Sequence, residues 1–267
     1  MITKRAICLA VAITTLQACA GSAVAAQPER AHYTSGGAPL AANLAVALSN
    51  SGGVQIWVTN SNFVIRCNSA KGTATLKVNG KATGSITYEG CEVRLAEKPG
   101  VEWLQGAPNP KCKVNSKGEP AGNGKIATGN MKMQLVWAEG AAIILNLVEP
   151  EGASFSEIEI TTGAGEKCEE GGVNLVKTWK LTGSYLSIPA PAGIEQPSIT
   201  EGVVANLFVN PAEAGNKKWE VKEGGGGALE KGEAKLMMEG EAAALSGKVE
   251  VTPKEVGGKC PNMGVHE

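Results

Sequence analysis

The chain has 267 residues, 43% of them hydrophobic but only 4% aromatic, with 35 glycines and a formal net charge of −1. Such a mild charge excludes electrostatic capture of nucleic acid, which needs a basic patch. With so few large rings the core must be filled by Val, Ile, Leu and Ala, which suits thin sheet-on-sheet packing better than thick helical layers.

Lys4 and Arg5 open the chain, residues 6–16 form an apolar stretch of eleven, and small residues follow to Ala23-Val24-Ala25-Ala26. That order is a secretory signal peptide over residues 1–26. The apolar stretch is shorter than the roughly 20 residues a membrane-spanning helix needs. Cleavage after Ala25 or Ala26 would release a secreted, extracellular protein, and this is the preferred reading. Leu16-Gln17-Ala18-Cys19 supplies the alternative, because it resembles a bacterial lipobox in which Cys19 is lipidated and anchors the chain at the cell surface. Beyond residue 26, 23 cationic side chains stand against 26 acidic ones, a net −3, and no later stretch has the length of a membrane span.

Residues 40–48 carry two periods at once. Leu40, Leu44 and Leu48 sit at helical spacing, while Leu44, Val46 and Leu48 also alternate; the segment is read as strand. Strand patterns follow at 54–59 and 62–67. The clearest local signal is 73–88, where period-two runs flank Asn79-Gly80. That pattern predicts a hairpin whose two turn residues both take positive φ. Further strands are expected at 131–137, 142–148, 154–161 and 173–181, then at 203–209, 218–222, 234–239 and 245–252. Gly, Pro, Asn and Ser clusters separate them, as turn chemistry requires. Strands this closely spaced, with no long helical periods between them, predict an all-β, antiparallel β-sandwich-like domain over 27–256. The segment 187–198, with three prolines, is the best-placed internal boundary. Residues 224–227 read as a flexible turn and 257–267 as a loose, flexible tail.

Five cysteines follow the signal: Cys67, Cys91, Cys112, Cys168 and Cys260. There is no Cys-x-x-Cys, and two histidines are too few to build a zinc site with them, so no metal or other cofactor is expected. Outside the cytoplasm such cysteines pair. Cys91 and Cys112 flank one proline-containing loop, whose closure is cheap. Cys67 and Cys168 are then paired across the sheets by elimination, and Cys260 is left as a free thiol in the tail.

His32-Tyr33-Thr34-Ser35-Gly36-Gly37, the runs Ile65-Arg66-Cys67, Gly90-Cys91-Glu92 and Lys111-Cys112-Lys113, and Leu181-Thr182-Gly183-Ser184 ahead of a proline-rich stretch mark a further likeness. Together they resemble the landmarks of a set of uncharacterised secreted β-rich proteins of soil actinobacteria, over about residues 32–252. The set has no assigned activity, so the resemblance implies secretion and β structure. The chain departs from it in lacking the Trp-Tyr pair of the opening motif and in carrying Cys260.

All 26 acidic residues are Glu, and the only histidines are His32 and His266. Aspartic-protease chemistry and Asp-rich calcium loops are therefore excluded. Nothing resembles Gly-x-Ser-x-Gly, so a Ser-His-acid triad has no local signature. The glycines at 224–227 lack the Lys-Ser/Thr of a phosphate loop. Paired glutamates remain as an enzymatic route. Glu157-Ile158-Glu159 sets two carboxylates on one strand face, about 7 Å apart, within the glycosidase range. The strand distantly resembles the acidic strand of β-sandwich glucanases, with Glu159 where their Asp stands and Thr162 where the second Glu stands. The bland alternative is a solvated face opposite Ile158 and Ile160.

Tryptophans supply the binding candidates. Trp57 aligns with Gln55 and Thr59, opposite Val54, Ile56 and Val58, and Trp103 lies between Cys91 and Cys112 beside prolines. Both are candidate rings for stacking on a cell-wall or environmental glycan. Trp137 aligns with Met131, Met133 and Leu135, and Trp179 with Leu175 and Leu181, as core positions do. The expectation is a non-enzymatic extracellular β protein, with a glycan-binding module as the alternative and a glycoside hydrolase using Glu157 and Glu159 behind it.

Overall fold

A computed structural model describes residues 30–35, 37–50, 53–58, 63–97, 104–140, 144–163, 167–170, 172–189, 196–199, 203–206, 217–222, 228–253 and 263–266. The segment read as a signal, with Cys19, lies outside the described residues, as do Trp103 and Cys260. Trp57 belongs to the strand Val54–Val58, but its side chain is likewise outside them.

The described residues contain strands and no helix, and every strand pairing is antiparallel. Curled sheets close on one another in a sandwich-like fold. The ambiguous stretch 40–48 resolves as the strand Leu44–Asn50, whose even-numbered residues from Val46 to Asn50 are buried. Alternation wins over helical spacing there because both edges are paired, with Ser69–Leu76 on one side and Glu241–Pro253 on the other.

The hairpin at 73–88 forms as Ser69–Leu76 against Lys81–Glu89, but its turn differs from the expected one. Gly80 N–H donates to Lys77 O at 3.3 Å and Lys77 N–H to Lys81 O at 2.8 Å. Among the described residues, Glu239 is the only non-glycine at positive φ, so Asn79 keeps negative φ and Gly80 alone is left-handed, at 71°. The loop is three residues long, a type I turn closed by a glycine bulge, and only its last position demands a left-handed backbone. The two-residue turn with both φ values positive occurs instead at Glu239-Gly240, at 51° and 81°, where Met238 pairs with Glu241. Glu239 is held there by both backbone groups of one residue, Lys180. Its N–H donates to Lys180 O at 2.9 Å, and its carboxylate accepts the Lys180 N–H at 3.1 Å.

The segment 173–181 splits. Val173–Asn174 forms a ribbon with Glu169–Glu170, and the main sheet takes up the chain only at Lys177–Gly183. Asn174 Oδ1 accepts the Val176 N–H at 2.9 Å, a local turn that interrupts the strand. The stretch read as a loose tail carries the strand Met263–His266, which pairs with His32–Ser35 and buries Val265. Tyr185–Pro189, which ends within the stretch read as an internal boundary, pairs with Val203–Asn206 beyond it.

The disulfides join Cys67 to Cys91 and Cys112 to Cys168. All four cysteines are bonded, but with partners other than those spacing implied. Strand register decides the matter. Phe63–Cys67 pairs with Glu92–Glu97 so that Arg66 faces Glu92, and the next step places Cys67 beside Cys91. Cys112 faces Thr162 across the Cys112–Ser116 and Ser156–Thr162 pair, and the chain returns to it at Cys168. All four sulfur-bearing residues are buried in the main core.

Two hydrophobic clusters share the strands Met131–Ala138 and Ile144–Pro150. Leu135, Trp137, Ile144 and Val148 face the large core, while Val136, Leu145 and Leu147 face a smaller one with Leu186, Trp219, Val221 and Ala234. Burial on both faces explains the continuous apolar run at 144–148, broken only by Asn146. Asn146 Oδ1 accepts the Tyr33 hydroxyl at 2.9 Å, tying the N-terminal strand to the main sheet. Burial raises the pKa of Tyr33, so that phenol stays a donor at physiological pH.

Candidate functional site

The inner row of the sheet at the first hairpin runs Val46–Ala74–Gly84–Met131. Glycine at 84 is required by close approach: a Cβ there would lie 2.5 Å from Thr73 O and 2.7 Å from the Ala74 Cβ. Gly72 is pressed in the same way by the Ser85 carbonyl of the facing strand. Glycines that admit a neighbouring backbone allow a sheet to bend tightly. On the outer face the bend leaves a hollow of about 370 Å³.

Small and hydroxylated residues line it. Ala45, Thr75 and Thr83 stand on one rung, and Thr73 and Ser85 face each other on the next but one. Asn130 and Glu151 complete the wall, held together by the Glu151 N–H donating to Asn130 O at 2.8 Å. The lining therefore offers hydroxyls that both donate and accept, one carboxamide and one carboxylate. Its volume falls near the lower end of the roughly 300–1,000 Å³ typical of ligand sites. Its walls are polar, which disfavours an apolar ligand and suits one rich in hydroxyls.

The paired glutamates lie elsewhere. Glu157 is clamped by two cations, Lys117 Nζ at 2.9 Å and Lys180 Nζ at 3.3 Å. The hydrogen bond from Lys117 and then that from Lys180 hold its carboxyl below the ordinary glutamate range. Glu159 accepts a 3.4 Å hydrogen bond from Asn115 Nδ2. Register explains these contacts: Glu159 faces Asn115 on one side and Thr178 on the other, and Glu157 faces Lys180. Neither glutamate lines the hollow. A general acid needs a raised pKa, and Glu157 is displaced in the other direction.

Trp137 and Trp179 are buried in the main core. His32 is half-buried, and its Nδ1 lies 3.1 Å from Arg30 O. Among the described residues no group of three or more His, Cys or Glu is placed to hold a metal ion. Likewise, no described helix is long and apolar enough to cross a membrane. Sequence reasoning missed the hollow because its residues come from three strands and two turns. The signal that carried it was the pair of glycines within otherwise regular Thr-rich strands. Comparison with protein-family models, with curated proteins and with solved structures finds no match to this chain.

Proposed function

We propose that this chain is a non-enzymatic β-sandwich module that works outside the cell or at its surface, released or anchored through Cys19. In this reading the hollow lined by Thr73, Thr75, Thr83, Ser85, Asn130 and Glu151 takes a cell-wall or environmental glycan. The lining carries the proposal, because its hydroxyls, carboxamide and carboxylate match the alternating donors and acceptors of a polyhydroxylated ligand. Two buried disulfides support the extracellular setting, since they persist in oxidising compartments. The two cations on Glu157 support the non-catalytic part.

A glycan-array screen of the untagged protein tests this, followed by titration of the best soluble oligosaccharide against Thr75→Arg and Thr83→Arg, whose side chains would fill the hollow. Binding that either variant abolishes supports the reading. Binding unaffected by both but lost in Trp57→Ala or Trp103→Ala moves the glycan to the aromatic candidates and overturns the assignment to the hollow. Release of reducing sugar that disappears in Glu157→Gln would replace the module with a glycoside hydrolase.

A further inference from the structure

Two outward-facing rows of the sheet meet in the hollow, and they differ in charge. In the first, Thr73 faces Ser85. Met131 pairs with Gly84 on one side and Pro150 on the other, so Asn130 comes level with Ser85 and Glu151 with Asn130. In the second, Thr75 faces Thr83, Thr83 faces Lys132, and Lys132 faces Glu149. Each row begins on hydroxyls and ends on a carboxylate, but only the second has a lysine ahead of it.

The cations flanking the first row already have anionic neighbours. Lys132 directly opposes Glu149, the arrangement in which opposite charges on a sheet stabilise one another. On the other side of the row, Lys71 Nζ pairs with Glu89 at 2.8 Å. Of the residues lining the hollow, Glu151 alone carries a charge. Its side chain is exposed and has no ion pair or hydrogen bond among the described residues, where its backbone N–H is the group engaged, by Asn130 O. One uncompensated carboxylate therefore stands at the end of a row of hydroxyls.

We infer that the hollow takes an amino sugar, a glycan unit bearing a free, protonated amine, with the ammonium on Glu151 and the ring hydroxyls on the Thr and Ser rungs. This rests on the reading of the hollow as a glycan site. An ionised carboxylate only accepts hydrogen bonds, and an ammonium presents three donors to it. Such a charge-assisted bond is roughly twice as strong as a neutral one. The N-acetylated form of the same sugar keeps one amide N–H and loses the charge. Thr73, Thr75, Thr83 and Ser85 both donate and accept, so they serve the two forms alike and leave the choice to Glu151. An acidic sugar would place a second negative charge beside that carboxylate and is disfavoured.

The test compares an oligomer of glucosamine with the N-acetylglucosamine oligomer of the same length, titrated calorimetrically into the untagged protein. A mildly acidic, low-salt buffer keeps the sugar amine protonated. The amino oligomer should bind about threefold tighter, as befits an exposed ion pair, and Glu151→Gln should erase that preference. Glu151 is exposed, so the variant keeps its fold. Thr75→Arg, which fills the hollow, should abolish binding of both oligomers. Equal or tighter binding of the N-acetylated oligomer, lost in Thr75→Arg, would overturn the amine preference and leave the hollow a glycan site. A preference for the amine that survives Glu151→Gln would also overturn the role of that carboxylate. Binding that Thr75→Arg does not touch, or no binding of either oligomer, would remove this inference together with the reading it rests on.

Discussion

Trp179 and Trp219 are both buried indoles, and they are buried in different ways. Trp179 lies in the large core. Its Nε1–H donates to Leu175 O at 2.9 Å, its ring meets Phe63 edge-on at 4.9 Å, and Lys177 Nζ sits 3.9 Å from the ring centroid. Trp219 belongs to the small cluster, and its Nε1 finds no acceptor among the described residues. Its ring lies over Gly232, its partner on the facing strand, where a Cβ would come within 2.6 Å of the indole. The first indole is held by polar and aromatic contacts together. The second is a hydrophobic cover laid across a glycine, with its donor unmatched among the described residues. Burial alone thus conceals unequal contributions, because an unpartnered buried donor costs about 1–3 kcal/mol against the area gained.

The largest expected effects follow from that contrast. Trp179→Ala should cost about 3–5 kcal/mol of folding stability, as large aromatic truncations in packed cores do. Trp179→Phe should still cost about 2 kcal/mol, since it strands the Leu175 carbonyl and shrinks the ring. Trp219→Phe removes the orphan donor and should fall within about 1 kcal/mol of the parent. Urea unfolding followed by circular dichroism ranks the three variants. A Trp219→Phe loss as large as that of Trp179→Phe would mean the indole nitrogen of Trp219 is satisfied after all.

The disulfides offer a smaller version of the same contrast. Cys67–Cys91 closes a separation of 24 residues and Cys112–Cys168 one of 56. Each should contribute roughly 2–4 kcal/mol by restricting the unfolded chain. The longer loop should be favoured by only about 0.7 kcal/mol, because closure entropy grows with the logarithm of length. Paired Cys→Ser variants, compared by denaturant midpoint, give the ordering. Non-reducing peptide mapping checks the connectivity directly, and a Cys91–Cys112 peptide would overturn it.

Those partners show where the sequence stopped being informative. Alternation revealed the strands that carry it, such as Ser69–Leu76 and Ser156–Thr162, because one buried face imposes a period of two. It said nothing of which strands lie side by side. Cys67 meets Cys91 through the pairing of Arg66 with Glu92, a non-local register that loop-closure reasoning ignores. Short strands escaped for a related reason. Met263–His266 is four residues long and includes a glycine, and only its pairing with His32–Ser35 makes it a strand. The hollow escaped too, since Thr73, Thr83 and Asn130 converge only after the hairpin bends. Glu157 and Glu159 were legible as a shared face, but not the lysines beside them. Lys117 and Lys180 arrive from neighbouring strands and turns, at positions no local pattern marks.

The smallest effect concerns that carboxylate, and it separates a solvated ion pair from a catalytic group. Glu157 is held below its ordinary pKa chiefly by the hydrogen bond from Lys117, then by that from Lys180. A group whose folded pKa is depressed stabilises the fold above its unfolded value and loses that contribution as pH falls through the folded one. The loss therefore belongs to acid pH, below the ordinary glutamate range, and leaves stability at neutral pH unchanged. Because the lysines are solvent-exposed and Glu157 is only half-buried, the effect on unfolding should be slight, and NMR titration of the Glu157 carboxyl carbon is the sensitive measurement. Its midpoint should lie below the ordinary glutamate range. Lys117→Gln should raise it more than Lys180→Gln, following the order of the two hydrogen bonds, and high salt should raise it in the parent protein. A parent midpoint at or above the ordinary glutamate range would show that the lysines do not hold the carboxylate, and a proton-donating role for Glu157 would return.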